Sequence, residues 1–309
     1  MIEIFQKTLC EPISFEGIGL HSGKNSKITI LPAKENQGII FKRIDLNEKN
    51  IIPANYENVS SAKLCTTLEN KFGVRVSTVE HLLAALYMAE VDNATVEINN
   101  EEVPIMDGSA QEFLNVLKFT EIKTQNKKRK YLKIINKVEL IDGERKISIE
   151  PSESLFFQVD FQLNYKNKII GKQENTINFQ SDDLKEVSES RTFCLFEDIE
   201  KIKKAGLARG GSLDNALVID KDRVINDGGL RNKKEFVNHK ILDLAGDFLL
   251  SGYRVLGKVR CHQGGHELTN SFLRKLLVAE NAFSSVELND FLITEKTNSK
   301  ESIKLAVNA

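Results

Sequence analysis

Along residues 235–250 the apolar positions Val237, Ile241, Leu244 and Phe248 recur at helical spacing, which predicts an amphipathic helix with that stripe against a core. On the other stripe His239, Asp243 and Asp247 recur at i, i+4 and i+8, so an imidazole and two carboxylates line up one turn apart. They read either as the solvated face of the helix or as a site. A second helix pattern, STVEHLLAAL, sets Val79, Leu82, Leu83 and Leu86 on its buried stripe and turns Glu80 and His81 away from it. Ser77 and Glu80 also satisfy S-x-x-E, so Glu80 could simply close a capping box.

The same order of elements occurs twice. A helix (VEHLLAALYMAEV), a strand (ATVEI), a turn (MDGS) and a helix (AQEFLNVLK) come first, and EFVNHKILDLAGDFLLSG, RVLGKVRC, QGG and HELTNSFLRKLL repeat the pattern. His81 and His239 lie 158 positions apart, and Phe113 and Phe272 lie 159 apart, a register that suggests duplication and fusion. Upstream of each helix pair run β-branched and aromatic segments: SKITILPA, GIIFKRI and KLCTTLE, then YLKIINKVELI, RKISIEP and LFFQVDFQL. Strand runs followed by helices favour an α+β fold over alternating βαβ units. The polar run NKKRK, residues 126–130, is the expected linker between domains at 1–125 and 131–290. The second is longer by an insertion near 197–220, read as a short helix, a glycine turn and a strand, and residues 291–309 read as a polar C-terminal tail.

The chain has 309 residues, enough for two domains, and 41% of them are apolar. Its 43 basic residues balance 44 acidic ones with no concentrated basic face, which argues against nucleic acid as a main partner but leaves phosphate on a small ligand open. The start, MIEIFQKTLCEP, has no leader character, and nowhere do 18 apolar residues run together, so no integral membrane segment and a cytoplasmic location are expected. Nothing in the sequence calls for an obligate protein partner. The cysteines, at 10, 65, 194 and 261, are too far apart for a C-x-x-C pair; they are expected to be reduced and not to bind zinc.

Histidine is scarce: His21, His81, His239, His262 and His266 are all there are. If the equivalent helices of the two halves pack together, His81 approaches His239 and Asp243. Two imidazoles and a carboxylate make a three-ligand site with an open position, the catalytic form of zinc coordination, although iron(II) accepts the same set. Glu80, beside one ligand, is then placed as a general base for water. Gly264 and Gly265 turn the chain so that His266 opens a helix. There it either caps the helix or, held cationic by Asp247, serves as the acid for a leaving amine. His262 is read as structural.

With these residues the chain resembles the zinc-dependent UDP-3-O-acyl-N-acetylglucosamine deacetylases of lipid A biosynthesis. The likeness runs over about residues 3–280 in the blocks GIGLHSG (17–23), LCTTL (64–68), STVEHLLAAL (77–86), EVPIMDGSA (102–110), SRTFC (190–194), GLARGGSLDNALV (206–218), NHKILDLAGD and GGHELTN. The resemblance implies Zn2+ held by His81, His239 and Asp243, with Fe2+ as the possible substitute. It assigns Glu80 as general base, His266 as the acid that protonates the amine, Asp247 as its partner and Thr192 as an oxyanion donor. Lys240, Phe193, Phe161, Leu20 and Gly211 become substrate contacts, although Phe161 and Phe193 read from the sequence alone as core. The implied fold is two similar layers, each a β-sheet with two helices, packed with the helices between the sheets. The implied substrate is a UDP-linked acylated amino sugar, whose fatty chain runs through an apolar passage near Leu195, Phe196, Ile199, Ile202, Ala205, Leu207 and Ala216. The segment VDFQLNYKNKIIGKQ departs from the family, being rich in Lys and Asn where the nucleotide-contacting loop lies. Other readings are a related zinc amidase with a different acylated substrate, or a ligand-binding homologue without turnover.

Overall fold

Strand Asn25–Pro32 alternates inward Ser26, Ile28 and Ile30 with outward Lys27 and Thr29, as expected of a sheet with one face against a core. It belongs to a five-stranded sheet ordered Ile13–Ile18, Asn25–Pro32, Ala94–Ile98, Ile39–Arg43, Ile51–Pro53. In the computed structural model, which describes residues 2–288 except position 154, the second half repeats this order. There Val138–Asp142, Arg145–Glu150, Arg254–His262, Phe157–Asn164 and Lys172–Asn178 pair in sequence, with Lys130–Ile134 and Phe283–Glu287 added to the same sheet. The central strand of each sheet pairs antiparallel to one neighbour and parallel to the other. The sequence echo is therefore an echo of topology, in an α+β fold. The expected tail at 291–309 lies outside the described residues.

Among the described residues six α-helices complete the fold: α1 Glu80–Met88, α2 Gln111–Phe119, α3 Lys185–Ser188, α4 Phe196–Lys204, α5 Glu235–Leu249 and α6 His266–Val278. The first eight residues of α1 are all buried, as are both stripes of α5, because each helix is enclosed on every side. The polar stripe of α5 is therefore not solvated: His239, Asp243 and Asp247 face α1, against which α5 packs. Gly246 lets the two helices touch at this point. A Cβ there would strike the Glu80 carbonyl oxygen and lie 3.0 Å from its carbon and 3.1 Å from the Ala84 nitrogen.

The polar run at 126–130 joins the halves but forms no separate loop: it spans the end of strand Ile122–Lys128, which pairs with Phe5–Leu9, and the start of Lys130–Ile134 in the second large sheet. Arg129 between them is buried, its charge matched by Asp92 Oδ2 at 2.7 Å. The capping box at α1 does not form either. Ser77 Oγ donates to the Glu101 carbonyl, while the Glu80 carboxylate accepts from the Thr66 backbone N–H at 3.0 Å.

Each half also carries a small three-stranded sheet between its large sheet and its central helix. These are Val59–Ser61, Thr67–Glu69 and Arg75–Ser77, and Phe193–Leu195, Leu217–Asp220 and Arg223–Val224. The second, with α4, is the expected insertion; its counterpart in the first half takes in Thr67–Glu69, the end of the KLCTTLE segment read as a strand.

Candidate metal centre and active site

The first turn of α1 and the middle of α5 bring His81, His239 and Asp243 together, with a ligand atom of each within 4.8 Å of the others. His81 Nε2 lies 3.5 Å and His239 Nε2 3.4 Å from Asp243 Oδ1. Four ligands at about 2.0–2.1 Å from a tetrahedral ion are separated by roughly 3.3–3.4 Å, so these spacings fit a zinc-sized cation. The supporting contacts point the same way. His239 Nδ1 lies 3.1 Å from the Ser190 carbonyl, to which its N–H donates, leaving Nε2 free as a donor of electrons. Lys240 Nζ donates to Asp243 Oδ2 at 2.8 Å, while Oδ1 is buried with no hydrogen-bond partner. An unpartnered buried carboxylate oxygen facing two imidazole nitrogens is the chemistry of a cation site.

Protonation states agree with that reading. Burial drives the His239 imidazole down to about 3, with His81 and Lys240 adding to the effect against Asp243, so the ring is neutral as a ligand must be. Burial alone would raise the Asp243 carboxyl, but His239, Lys240 and His266 hold it well below the ordinary carboxylate range.

On the other side of Asp243 stand two further buried titratable groups, Glu80 and His266. His266 Nε2 lies 3.6 Å from Glu80 Oε1 and 3.8 Å from Asp243 Oδ2, and its Nδ1 bonds Asp247 Oδ2 at 2.8 Å. Burial opposes a charge on this imidazole, yet Asp247, Glu80 and Asp243 outweigh it and raise its pKa to about 10. Glu80 moves upward through burial, with His266 and His81 pulling partly the other way. A carboxylate of raised pKa beside a charged imidazole is a base and an acid within reach of one reacting group. Gly265, in extended backbone, is the N-cap of α6, and His266 turns inward towards Asp247.

Thr66 joins the two groups and had no role in the sequence reading. Its backbone N–H donates to Glu80, and its hydroxyl donates to Asp247 Oδ1 at 2.7 Å while lying 3.3 Å from His266 Nδ1. Only its place in the LCTTL block marked it, because the contacts come from a loop 14 and 181 residues away from its partners.

Next to this cluster lies an apolar cavity of about 370 Å³. Thr192 and Phe193 line it, and Phe193 brings it next to the cluster: its ring centroid is 6.2 Å from that of His239, and Lys240 Nζ lies 5.5 Å from the Phe193 centroid. Phe196, Ile199, Ile202 and Ala216 line the cavity, together with Leu20 and Gly211. Of the expected passage residues, Leu195 packs on the core and Ala205 is exposed at the C-cap of α4; neither lines the cavity, nor does Leu207. Phe161 is also elsewhere, buried in the sheet opposite Cys261. From the first half the cavity gains His21 and Leu64.

Two buried imidazoles and a carboxylate that could hold a metal ion, beside a buried Glu80–His266–Asp247 cluster and held between two duplicated α+β halves, fit the class of metal-dependent hydrolases. The profile of the LpxC family, UDP-3-O-acyl N-acetylglycosamine deacetylase, matches residues 6–278. Proteins named UDP-3-O-acyl-N-acetylglucosamine deacetylase match more than nine-tenths of the chain. That of Pasteurella multocida (strain Pm70) is 41% identical over 290 residues, 93% of this chain and 94% of the relative. That of Geotalea uraniireducens (strain Rf4) is 42% identical over 285 residues, 92% of each. The chain belongs to the LpxC family of deacetylases.

Proposed function

We propose that this chain hydrolyses the 2-acetamido group of UDP-3-O-acyl-N-acetylglucosamine, giving acetate and the free amine, as the committed step of lipid A biosynthesis. One observation carries the reading: a base and a charged acid converge on an unpartnered carboxylate oxygen shared by two imidazoles, next to an apolar cavity. Zn2+ held by His81, His239 and Asp243 supplies Lewis acidity for activating water and polarising the amide carbonyl; Fe2+ suits the same donors. Glu80 takes the proton of the attacking water. His266, kept charged by Asp247, gives a proton to the departing nitrogen, without which an amine cannot leave. The Thr192 hydroxyl steadies the negative charge that develops on the former carbonyl oxygen.

Lys240 meets the polar head of the substrate beside Phe193, and the cavity takes the fatty chain. Burying each methylene of that chain contributes about 0.8 kcal/mol to binding. The halves 1–125 and 131–290 act as two domains sharing one centre. The reaction takes place in the cytoplasm, as membership of this family implies; no helix among the described residues is long and apolar enough to cross a membrane. Acetate release from the UDP-sugar by metal-loaded protein, measured before and after chelation, tests the proposal. Undiminished release after complete metal removal would overturn it.

A further inference from the structure

The block EVPIMDGSA contributes one buried group that no step of the reaction uses, the carboxylate of Glu102, which is 1% exposed. It runs beside the strand that leads into α1, in a parallel bridge with Ser77. Glu102 Oε1 accepts from the His21 backbone N–H at 2.8 Å and the Thr78 hydroxyl at 2.9 Å, and Oε2 accepts from the Ser22 backbone N–H at 2.7 Å. These three donors belong to two different parts of the site.

Thr78 lies two residues before Glu80 and three before His81. Its φ is +57°, a left-handed conformation that a β-branched residue adopts only under constraint, and its hydroxyl bond to Glu102 supplies one. His21 and Ser22 belong to the loop that walls the apolar cavity. That loop docks on the second-half insertion: Gly210 N–H donates to the Leu20 carbonyl at 3.0 Å, Arg209 N–H to the His21 carbonyl at 3.3 Å and Ala208 N–H to His21 Nδ1 at 3.3 Å. Gly210 permits this approach, since a Cβ there would collide with the Gly19 carbonyl oxygen.

We propose that Glu102 is a positioning residue that holds the acyl-chain cavity in register with the helix start carrying Glu80 and His81. The inference rests on the function proposed above. A long acyl chain seated in the cavity fixes where the sugar's amide falls, so its binding energy reaches the chemical step only if wall and catalytic groups are tied together. Glu102 is the tie, and it makes the reaction selective for acylated substrate.

The test compares kcat/KM on the 3-O-acylated UDP-sugar with that on UDP-N-acetylglucosamine itself, using metal-loaded full-length protein. Wild type should strongly favour the acylated substrate. Glu102→Gln, which turns an amide NH2 towards N–H donors, should lower the ratio of the two kcat/KM values about tenfold with metal content unchanged. Thr78→Val removes one of the three bonds at nearly constant shape and should lower it several-fold; it also covers the case in which Glu102→Gln does not fold. Glu102→Asp should recover part of the loss. A ratio equal to wild type in the folded variants would reduce Glu102 to a structural role and overturn the proposal. A wild type without preference for the acylated substrate would instead refute the function on which it rests.

Discussion

The first half places Glu80 and His81 at the start of a nine-residue helix, whereas the second supplies His239 and Asp243 from the middle of a fifteen-residue one and Asp247 from its last turn. Duplicated topology has thus given unequal chemical endowments. A helix start can be reached by a neighbouring loop, and Thr66 uses that access to touch Glu80. A helix middle has its backbone bonds satisfied internally, so it offers a rigid ladder of side chains, one turn apart, for ligands that must not move. The small sheets differ in the same way. That of the first half leads through Thr66 into the proton-transfer groups, and that of the second, with α4, builds the apolar cavity.

The comparison can be broken at defined points. Glu80→Gln removes the base and leaves the three ligands in place, so kcat/KM should fall by about 10²–10⁴-fold with full metal content. Loss of metal in that variant, measured by atomic absorption, would mean that Glu80 belongs to the ligand set. Next in size is Asp247→Asn. His266 must be protonated to act, and the carboxylates around it raise its pKa to about 10 in the fold. A cation at Asp243 cancels one of those carboxylates and brings the value down. Removing the Asp247 charge lowers it further, so the alkaline limb of kcat/KM against pH should move to lower pH by about 1–3 units. Glu80 must be ionised and its own pKa is raised, so the acidic limb should lie above the ordinary carboxylate range and move less. A stationary alkaline limb would assign the acid to another group.

Gly246→Ala tests the contact between the unequal helices. It should cost about 1–3 kcal/mol in a denaturant titration, because the new methyl must displace the Glu80 backbone, and it should weaken metal binding in parallel. Wild-type stability would show that α1 can shift freely. The smallest effect is expected from Thr66→Val, about tenfold in kcat with KM little changed, since only one hydroxyl leaves the acid's partner. A change confined to KM would make Thr66 a substrate contact.

Much of the fold could be read in the sequence because its elements are locally consistent. The strands at residues 25–32, 39–43 and 94–98 and the helices α1, α2, α5 and α6 follow from their own periodicity, and the 158-residue register anticipated the matching sheets. What periodicity cannot report is the partner of a helix face. The polar stripe of α5 looked equally suited to solvent, because its burial depends on α1, which lies some 160 residues earlier in the chain. Glu80 looked like a cap because S-x-x-E is a local pattern, and the structure satisfies it with Thr66 instead. The run at 126–130 read as a linker because all five of its residues are basic or polar, yet Arg129 within it is buried and paired with Asp92. Phe161 came from resemblance alone, and in the fold it is a core residue.

The central claim is a single cation held jointly by the two halves. Its most direct test is zinc stoichiometry and affinity, measured by competition with a chromophoric chelator, for wild type, His81→Ala and Asp243→Ala, each checked for native fold by circular dichroism. The account predicts one tightly held zinc per wild-type chain and its loss from both variants, although the ligands come from different halves. Full zinc retention in folded His81→Ala, or none in wild type, would contradict it.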